Sequence, residues 1–344
     1  MTKFISKEEL KERIQNDPTP RTTLSLYRYV NIANPEQMRE TLLEEWDALG
    51  VLGRTYLANE GINAQISMPT ANLDEFREKL YAHSEFANIP FKIAVEDDGK
   101  SFYKNCIKIR YKVVADGLDD DAFDTTNVGV HLTAQEFNRE LENGAICVDM
   151  RNQYESEIGH FEGAICPDVD TFREELPMVE EMLEDKKGEK ILLYCTGGIR
   201  CEKASAYLKS KGFKDVNQLH GGIIDYKRQV DAAGLDCKFK GKNFVFDERL
   251  GERISDDIIA NCHQCGEPCD DHTNCKNDDC HLLFIQCAAC AEKMAGCCTQ
   301  ECMEIAALPV EEQRKMRKGK QKEDCLSIYK SRLRPDLKEA LASK

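Results

Sequence analysis

The chain has 344 residues, of which 41% are hydrophobic, and a formal net charge of −15 at pH 7. This length accommodates two or three domains with cores of their own. The acidic balance argues against a protein that coats nucleic acid non-specifically. No apolar run approaches the roughly 18 residues of a membrane span, and the N-terminus lacks the apolar core of a signal peptide. Seventeen cysteines without an export signal indicate thiols, metal ligands or catalysis in a cytoplasmic protein.

The first part of the chain predicts a short helix and linker over 1–22, followed by a domain over 23–118. Strands are expected at 24–30, 53–58, 62–67 and 91–95, with helices at 34–50 and 70–80. Asn34 can cap the first of these helices, and Pro35 suits its first turn. The order βαββαβ predicts a ferredoxin-like fold. Asn59-Glu60-Gly61 is explained as a hairpin turn.

Four basic residues share one parity along a strand-like run near the end of this domain, so they would line one face of it. A solvated strand face and a phosphate-binding stripe both remain possible explanations. The residues are Lys104, Lys108, Arg110 and Lys112.

An acidic linker precedes a second domain, predicted over 128–234, in which strands and helices alternate. Thr133, with Glu136 three residues on, forms a capping box for a helix over 133–143. Further helices are expected at 172–184 and 222–233, and buried strands at 145–150, 191–194 and 216–219. Such alternation predicts a parallel sheet with helices on both faces, and ligands bind outside the carboxyl ends of such strands.

Cys195 lies at such a strand end and begins a loop that leads into a helix at Arg200. The loop amides and the helix dipole favour an anion, so a thiolate here would have a lowered pKa and act as a nucleophile. Arg200 would add a fixed positive charge. The alternative, a structural cysteine before an ordinary turn, leaves most of this pattern unexplained. The loop residues between the two are Thr196, Gly197, Gly198 and Ile199.

This Cys-x4-Arg loop resembles the active-site loop of the rhodanese superfamily, whose members carry a persulfide on the cysteine. The segments 149–155, 159–164 and 219–222 resemble three further motifs of that superfamily, in the same order. The resemblance implies a rhodanese domain with Cys195 reactive and with Asp149 and Arg151 supporting the site. Cys201 is interpreted either as a resolving thiol or as a small residue in the first helical turn.

The region 235–308 is rich in cysteine and contains two Cys-x2-Cys pairs. A zinc ion needs four soft ligands in a tetrahedron, and each pair offers two from a tight turn. The hypothesis is a zinc site, with a second ion possible among the remaining cysteines. Reduced thiols packed among loops and an iron–sulfur cluster are the alternatives. The proposed ligands are Cys262, Cys265, Cys287 and Cys290.

The remaining segment, 309–344, begins with a strongly basic stretch. It is interpreted as a solvated linker that also offers a local contact for nucleic acid, because it concentrates positive charge on an acidic protein. The candidate contact residues are Arg314, Lys315, Arg317 and Lys318.

The combination of Asn-Glu-Gly-Ile-Asn at 59–63, the loop at 195–204 and Cys-His-Gln-Cys-Gly at 262–266 resembles the rhodanese-related tRNA uridine hydroxylases. The resemblance implies oxygen-dependent formation of 5-hydroxyuridine at the tRNA wobble position, with tRNA as partner and molecular oxygen as co-substrate. No flavin or nicotinamide motif is present. An iron triad can be drawn from His160, Glu162 and His220. A sulfurtransferase or persulfide carrier is the alternative function, and a redox-sensing module a weaker third.

Overall fold

The computed structural model describes residues 6–119 and 122–318. It contains four sheets, whose strands and helices follow the predicted α/β and α+β organisation. The N-terminal part is built from α1 (Lys7–Asn16), β1 (Arg21–Tyr29), α2 (Pro35–Ala48), β2 (Leu52–Ala58), β3 (Gly61–Pro69), α3 (Leu73–Ala82), β4 (Lys92–Ile93) and β5 (Asn105–Ile109).

These five strands form one sheet in the order β4-β1-β3-β2-β5. The first four are antiparallel neighbours, and the prediction of a ferredoxin-like βαββαβ domain is confirmed. The basic run after them contains an additional strand, β5, which pairs parallel to β2. Asn34 caps α2 as predicted, since its side chain accepts a hydrogen bond of 3.0 Å from the amide of Gln37.

The two faces of this sheet differ in chemistry because successive side chains alternate along each strand. One face is apolar and packs under α2 and α3, with Leu26, Trp46 and Phe76 fully or almost fully buried. The other face carries polar, aromatic and basic side chains, among them Tyr27 and Tyr56, and looks toward the second domain. The polar face of the ferredoxin-like sheet is therefore the face that lies toward the second domain.

The second domain contains a four-stranded parallel sheet in the order β6-β10-β9-β7. Thr133 caps α4 with the predicted capping box. The elements are β6 (Val130–Leu132), α4 (Ala134–Glu142), β7 (Ile146–Asp149), α5 (Gln153–Ser156), β8 (Gly159–Phe161), α6 (Phe172–Met182), β9 (Lys190–Tyr194), α7 (Ile199–Ser210), β10 (Asp215–Leu219) and α8 (Gly222–Ala233). Separate apolar clusters pack around this sheet.

The cysteine-rich part that follows has short elements and only small apolar clusters, in which cysteines themselves are prominent. Its first strand, β11, pairs with β8 of the second domain. None of the described helices is both long enough and apolar enough to span a membrane. The elements are β11 (Phe239–Asn243), β12 (Glu252–Arg253), β13 (His272–Asn274), β14 (Leu283–Ile285), α9 (Ala288–Lys293), α10 (Gln300–Ala306) and α11 (Val310–Arg317).

A buried ion cluster joins the first two domains. Lys203 on α7, with 1% of its surface exposed, donates to Glu60 at 2.8 Å and to Asp116 at 2.6 Å. Glu60 lies in the β2–β3 hairpin, so this turn has a second role besides reversing the chain. Tyr29 of β1 also donates to the carbonyl of Ile199 at 3.2 Å. The polar face of the first sheet is thereby held against the helix that follows Cys195.

Candidate active site

Cys195 follows β9 directly and is almost completely buried. The amide of Gly198 donates a 3.1 Å hydrogen bond to its sulfur. Burial alone would disfavour the thiolate, but a hydrogen bond from the Cys201 thiol, the charge of Arg200 and the loop amides lower the pKa of Cys195 to about 5. The sulfur is therefore a thiolate at neutral pH.

Two glycines allow the chain to fold this closely around the sulfur. Gly198 has a φ of +98°, and a Cβ there would lie 2.7 Å from the Tyr27 hydroxyl. Gly222 has a φ of +68°, and a Cβ there would lie 2.6 Å from the carbonyl oxygen of Cys195. Because Gly222 lacks a side chain, the start of α8 reaches the loop, and the amide of Ile223 donates to that carbonyl at 3.1 Å.

Arg200 makes a bidentate ion pair with Glu155, with nitrogen–oxygen distances of 2.7 and 2.8 Å. Much of its charge is therefore balanced by a fully buried carboxylate, which the sequence analysis did not anticipate. Asp149 and Arg151 form a second buried pair at 2.7 Å, and Tyr194 donates to Asp149 at 2.7 Å. The segment 149–155 thus supplies the carboxylate that pairs with Arg200. It also supplies the buried Asp149–Arg151 pair at the end of β7.

Cys201 lies beside Cys195 on the first turn of α7 and is buried. Burial and the neighbouring Cys195 anion raise the pKa of Cys201 well above its ordinary value, so it remains a thiol and donates to Cys195. The structure thus gives Cys201 a role as hydrogen-bond donor in the reduced state, besides the two interpretations made from sequence.

A cavity of about 640 Å³ opens above Cys195 between the two domains. Lys108 and Arg110 line it, together with Arg54 and Tyr56, and the Arg110 guanidinium lies 5.4 Å from the Tyr56 ring centroid. Two members of the predicted basic stripe therefore share a cavity with the Cys195 thiolate. Such a cavity combines positive charge with an aromatic ring, the features that bind a phosphate and an unpaired base.

The other two members of the stripe lie elsewhere. Lys104 is exposed outside the cavity, with its ammonium 6.0 Å from the Tyr103 ring centroid. Lys112 lies beyond the end of β5 and pairs with the buried Asp116 at 2.9 Å. The expectation that Lys112 belongs to a continuous exposed face is wrong, because the strand ends at Ile109 and the chain turns toward Asp116.

The cysteine-rich part brings together the four predicted ligands, Cys262, Cys265, Cys287 and Cys290, with all their sulfurs within 4.8 Å of one another. The sequence allowed a second ion among the remaining cysteines without naming its ligands, and the structure contains a second quartet with the same property. Its members are Cys275, Cys280, Cys298 and Cys302.

The sulfur spacings fit metal coordination. A tetrahedral site with metal–sulfur bonds of about 2.3 Å has sulfur–sulfur edges of about 3.8 Å. The Cys265–Cys287 and Cys280–Cys298 distances are both 3.6 Å, which is far longer than a disulfide bond. Both quartets could therefore hold a metal ion. Among the described residues, no other group of three or more such ligands lies this close together, so His160, Glu162 and His220 do not assemble an iron triad.

The predicted basic contact near the C-terminus, interpreted from sequence as a solvated linker, is helical up to Arg317. Arg314, Lys315 and Lys318 are exposed, whereas Arg317 is half-buried and pairs with Asp278 at 3.6 Å. The rest of the predicted tail, 319–344, lies outside the described residues.

Nearly the whole chain aligns with curated proteins named tRNA uridine(34) hydroxylase. A protein of Leptospira interrogans serogroup Icterohaemorrhagiae serovar Lai, named tRNA uridine(34) hydroxylase, is 58% identical over 98% of this chain and 92% of its own length. The chain belongs to the tRNA uridine(34) hydroxylase family. Family members from Cronobacter sakazakii and Photorhabdus laumondii are 54% and 55% identical over 92% of this chain and 91% of their own lengths.

Three regional families match within this hydroxylase-family chain. A UPF0176 acylphosphatase like domain covers 21–113, a rhodanese-like domain covers 133–229, and a rhodanase C-terminal region covers 240–303. The resemblances to the rhodanese superfamily and to the tRNA uridine hydroxylases are thereby confirmed. Among solved structures, the rhodanese-like domain of an Anabaena sp. protein is 22% identical and covers 32% of this chain and 78% of that chain, with a TM-score of 0.26.

Proposed function

We propose that this protein is an oxidoreductase that hydroxylates uridine 34 of tRNA, with Cys195 as its reactive residue. The observation that carries the proposal is the likeness, over nearly the whole chain, to proteins named for this activity. The domains outside the rhodanese-like part are included in that likeness, and a sulfurtransferase would not need them. Molecular oxygen is proposed as the co-substrate.

The geometry at Cys195 supports this assignment. A thiolate with a pKa of about 5 faces a cavity that is large enough for a nucleotide and has basic residues at its edge. A wobble uridine lies in a single-stranded loop, so its base can enter such a cavity without disruption of a duplex. In this proposal Cys195 reacts with the substrate, Arg200 holds the loop, and Lys108 and Arg110 bind the RNA backbone.

The direct test uses a strain in which the gene is deleted and then restored. Mass analysis of tRNA nucleosides should show loss of 5-hydroxyuridine and its derivatives on deletion, and recovery with the wild-type gene. Unchanged hydroxyuridine together with a loss of thiolated nucleosides would instead support the sulfurtransferase function. Purified protein supplied with tRNA and oxygen, or kept without oxygen, would then test the co-substrate.

The RNA contact can be tested separately. Each phosphate contact made by a basic residue contributes about 0.7–0.9 to the slope of log affinity against log salt. The Lys108→Ala/Arg110→Ala variant should therefore bind tRNA more weakly and with a slope reduced by roughly 1–2. Lys79→Ala, which changes a half-buried lysine of α3 paired with Glu75, serves as the control. Equal slopes for the wild type and both variants would show that Lys108 and Arg110 do not contact the RNA. The segment Arg314–Lys318 would then be tested in the same way.

We further propose that the two cysteine quartets hold structural zinc. All-thiolate ligand sets with these spacings are typical of closed zinc sites, in which the metal contributes folding free energy and leaves no open position for a substrate. The sixteen cysteines in the described part are all free of disulfides, which fits a reducing compartment such as the cytoplasm.

A further inference from the structure

Lys92 belongs to β4 of the first domain, yet its side chain lies against the active-site loop of the second. It is only 3% exposed and lines the cavity above Cys195. A Cβ on Gly197 would lie 3.8 Å from the Lys92 Cδ, which places the aliphatic part of the side chain over the loop. The ammonium lies 4.0 Å from the ring centroid of Tyr27.

No carboxylate of the described residues pairs directly with the Lys92 ammonium. Among the residues that the structure describes, none forms a salt bridge or hydrogen bond with its ammonium, and its polar contact is the Tyr27 ring. Burial lowers the pKa of Lys92, whereas Asp225, Cys195 and Glu202 raise it through space. Burying a cation without a hydrogen-bonded partner is costly, so such an arrangement points to a partner that arrives with the ligand.

Arg200 and Lys92 both lie at the active-site loop, but they differ in whether a carboxylate already occupies their donors. Arg200 has the expected position for a counter-charge to a substrate anion, but both ends of its guanidinium fork are occupied by Glu155. Lys92 approaches the same loop from the opposite domain with its donors available. The Lys92 ammonium makes a cation–π contact with the Tyr27 ring. The Tyr27 hydroxyl in turn donates a hydrogen bond of 3.1 Å to Glu202.

We propose that Lys92 is a substrate-binding residue that donates to a negatively charged or electron-rich oxygen of the target uridine nucleotide, next to Cys195. This inference rests on the proposed function and extends it, because it makes the active site a composite of both domains. The oxygen belongs either to the phosphate of the target nucleotide or to a carbonyl of its uracil ring. Both are acceptors that a lysine ammonium binds.

The test compares Lys92→Met, which keeps the aliphatic length, with Lys92→Arg, which keeps the charge. Hydroxyuridine formation is measured on a tRNA anticodon stem-loop after circular dichroism and thermal melting show that each variant is folded. Removing a charged donor of this kind typically lowers catalysis by about 10²–10³, so kcat/KM should fall about 100-fold in Lys92→Met. Lys92→Arg should restore a measurable part of it. Lys79→Met provides a matched control.

The outcomes separate the two proposals. If the wild-type protein forms no hydroxyuridine, the proposed function fails. If it does, and folded Lys92→Met stays within about twofold of wild type, the Lys92 inference is overturned. A folded Lys92→Arg variant no more active than Lys92→Met would equally contradict a role based on charge.

A substrate with a neutral methylphosphonate on the 5′ side of the target uridine identifies the oxygen. If Lys92 binds that phosphate, the losses of kcat/KM caused by the methylphosphonate and by Lys92→Met should not be additive in free energy, because both changes remove the same interaction. If Lys92 binds the uracil ring, their effects should multiply.

Discussion

The environments of the cysteines differ between the rhodanese-like domain and the cysteine-rich C-terminal part. In the rhodanese-like domain, a single thiolate is stabilised by the protein itself, through the Gly198 amide, the Cys201 thiol and the charge of Arg200. In the C-terminal part, eight thiols gather in two groups of four, where the apolar clusters are small. One environment stabilises a single thiolate beside a cavity, and the other brings together two ligand sets that could hold metal ions.

The largest expected effect comes from Cys195→Ser. A serine hydroxyl is nearly isosteric with the thiol but stays protonated at neutral pH, so the loop would lose its anion and the enzyme its nucleophile. We expect hydroxylation to fall by a factor on the order of 10³ or more, with the melting temperature nearly unchanged. Cys237→Ser, outside both the loop and the quartets, should behave as wild type. Full activity in the folded Cys195→Ser variant would exclude this residue from the reaction.

Removing the proposed zinc should have a different effect: the C-terminal part should lose its structure, while the Cys195 thiolate remains. Structural zinc contributes roughly 10–16 kcal/mol of binding free energy in small zinc-finger peptides, and few apolar contacts here replace it. Elemental analysis should find close to two equivalents of zinc per chain. Cys265→Ser and Cys280→Ser should each lose one equivalent and expose 239–308 to protease, while Cys195 keeps its reactivity. Metal-free protein with a protected C-terminal part would refute the zinc hypothesis.

Arg200→Ala should affect both folding and reactivity. From the sequence, Arg200 only adds a positive charge to the loop, but in the structure its removal leaves the fully buried Glu155 without its cationic partner. Breaking one side of a buried pair costs about 3–5 kcal/mol. Denaturant unfolding measures that cost, and alkylation of Cys195 measures the accompanying rise in its pKa. The Arg200→Ala/Glu155→Gln double variant should recover part of the stability without recovering the low pKa. An unchanged stability of Arg200→Ala would contradict the ion-pair geometry.

A smaller effect is expected at Glu175 on α6. It is fully buried, and neither of its carboxylate oxygens has a hydrogen-bond partner among the described residues. Burial raises the pKa of Glu175 well above its ordinary value, an effect that the charge of Arg200 reduces. The folded protein therefore keeps a proton that the unfolded chain releases above about pH 4.3, so stability falls as the pH rises past that value.

Glu175→Gln removes this dependence because glutamine is neutral throughout. The variant should gain stability relative to wild type from pH 4.5 to pH 7, by up to about 1.4 kcal/mol per pH unit. Unfolding by urea at several pH values measures the difference. Glu174→Gln, on the same helix and exposed, is the control. A difference between wild type and Glu175→Gln that does not change with pH would show that Glu175 is ionised in the folded state.

The parts of the structure that depend on local pattern could be predicted from the sequence. The strand before Cys195, the caps at Asn34 and Thr133 and the first cysteine quartet all follow from short spacings, and the structure contains them. The parts that depend on distant pairing could not. Glu155 and Arg200 are 45 positions apart, and Lys92 lines the cavity above Cys195 from another domain. The second quartet mixes cysteines with irregular spacing, which leaves many combinations open.

The basic residues illustrate the same limit. Lys108 and Lys112 have the same parity, but the strand ends between them, and of the two only Lys108 lines the cavity. A buried acidic partner, Asp116, then decides the position of Lys112. Charge pattern alone therefore identified the correct strand but overestimated its length.

The central claim is that Cys195 is a thiolate at neutral pH because of its loop. Alkylation by iodoacetamide over a range of pH, followed by trypsin and mass spectrometry, measures this directly, since cleavage at Lys190 and Arg200 places Cys195 in a peptide without any other cysteine. The structure predicts a midpoint near a pH of about 5 for this peptide. A midpoint near 8.5, the ordinary value for a cysteine, would contradict it.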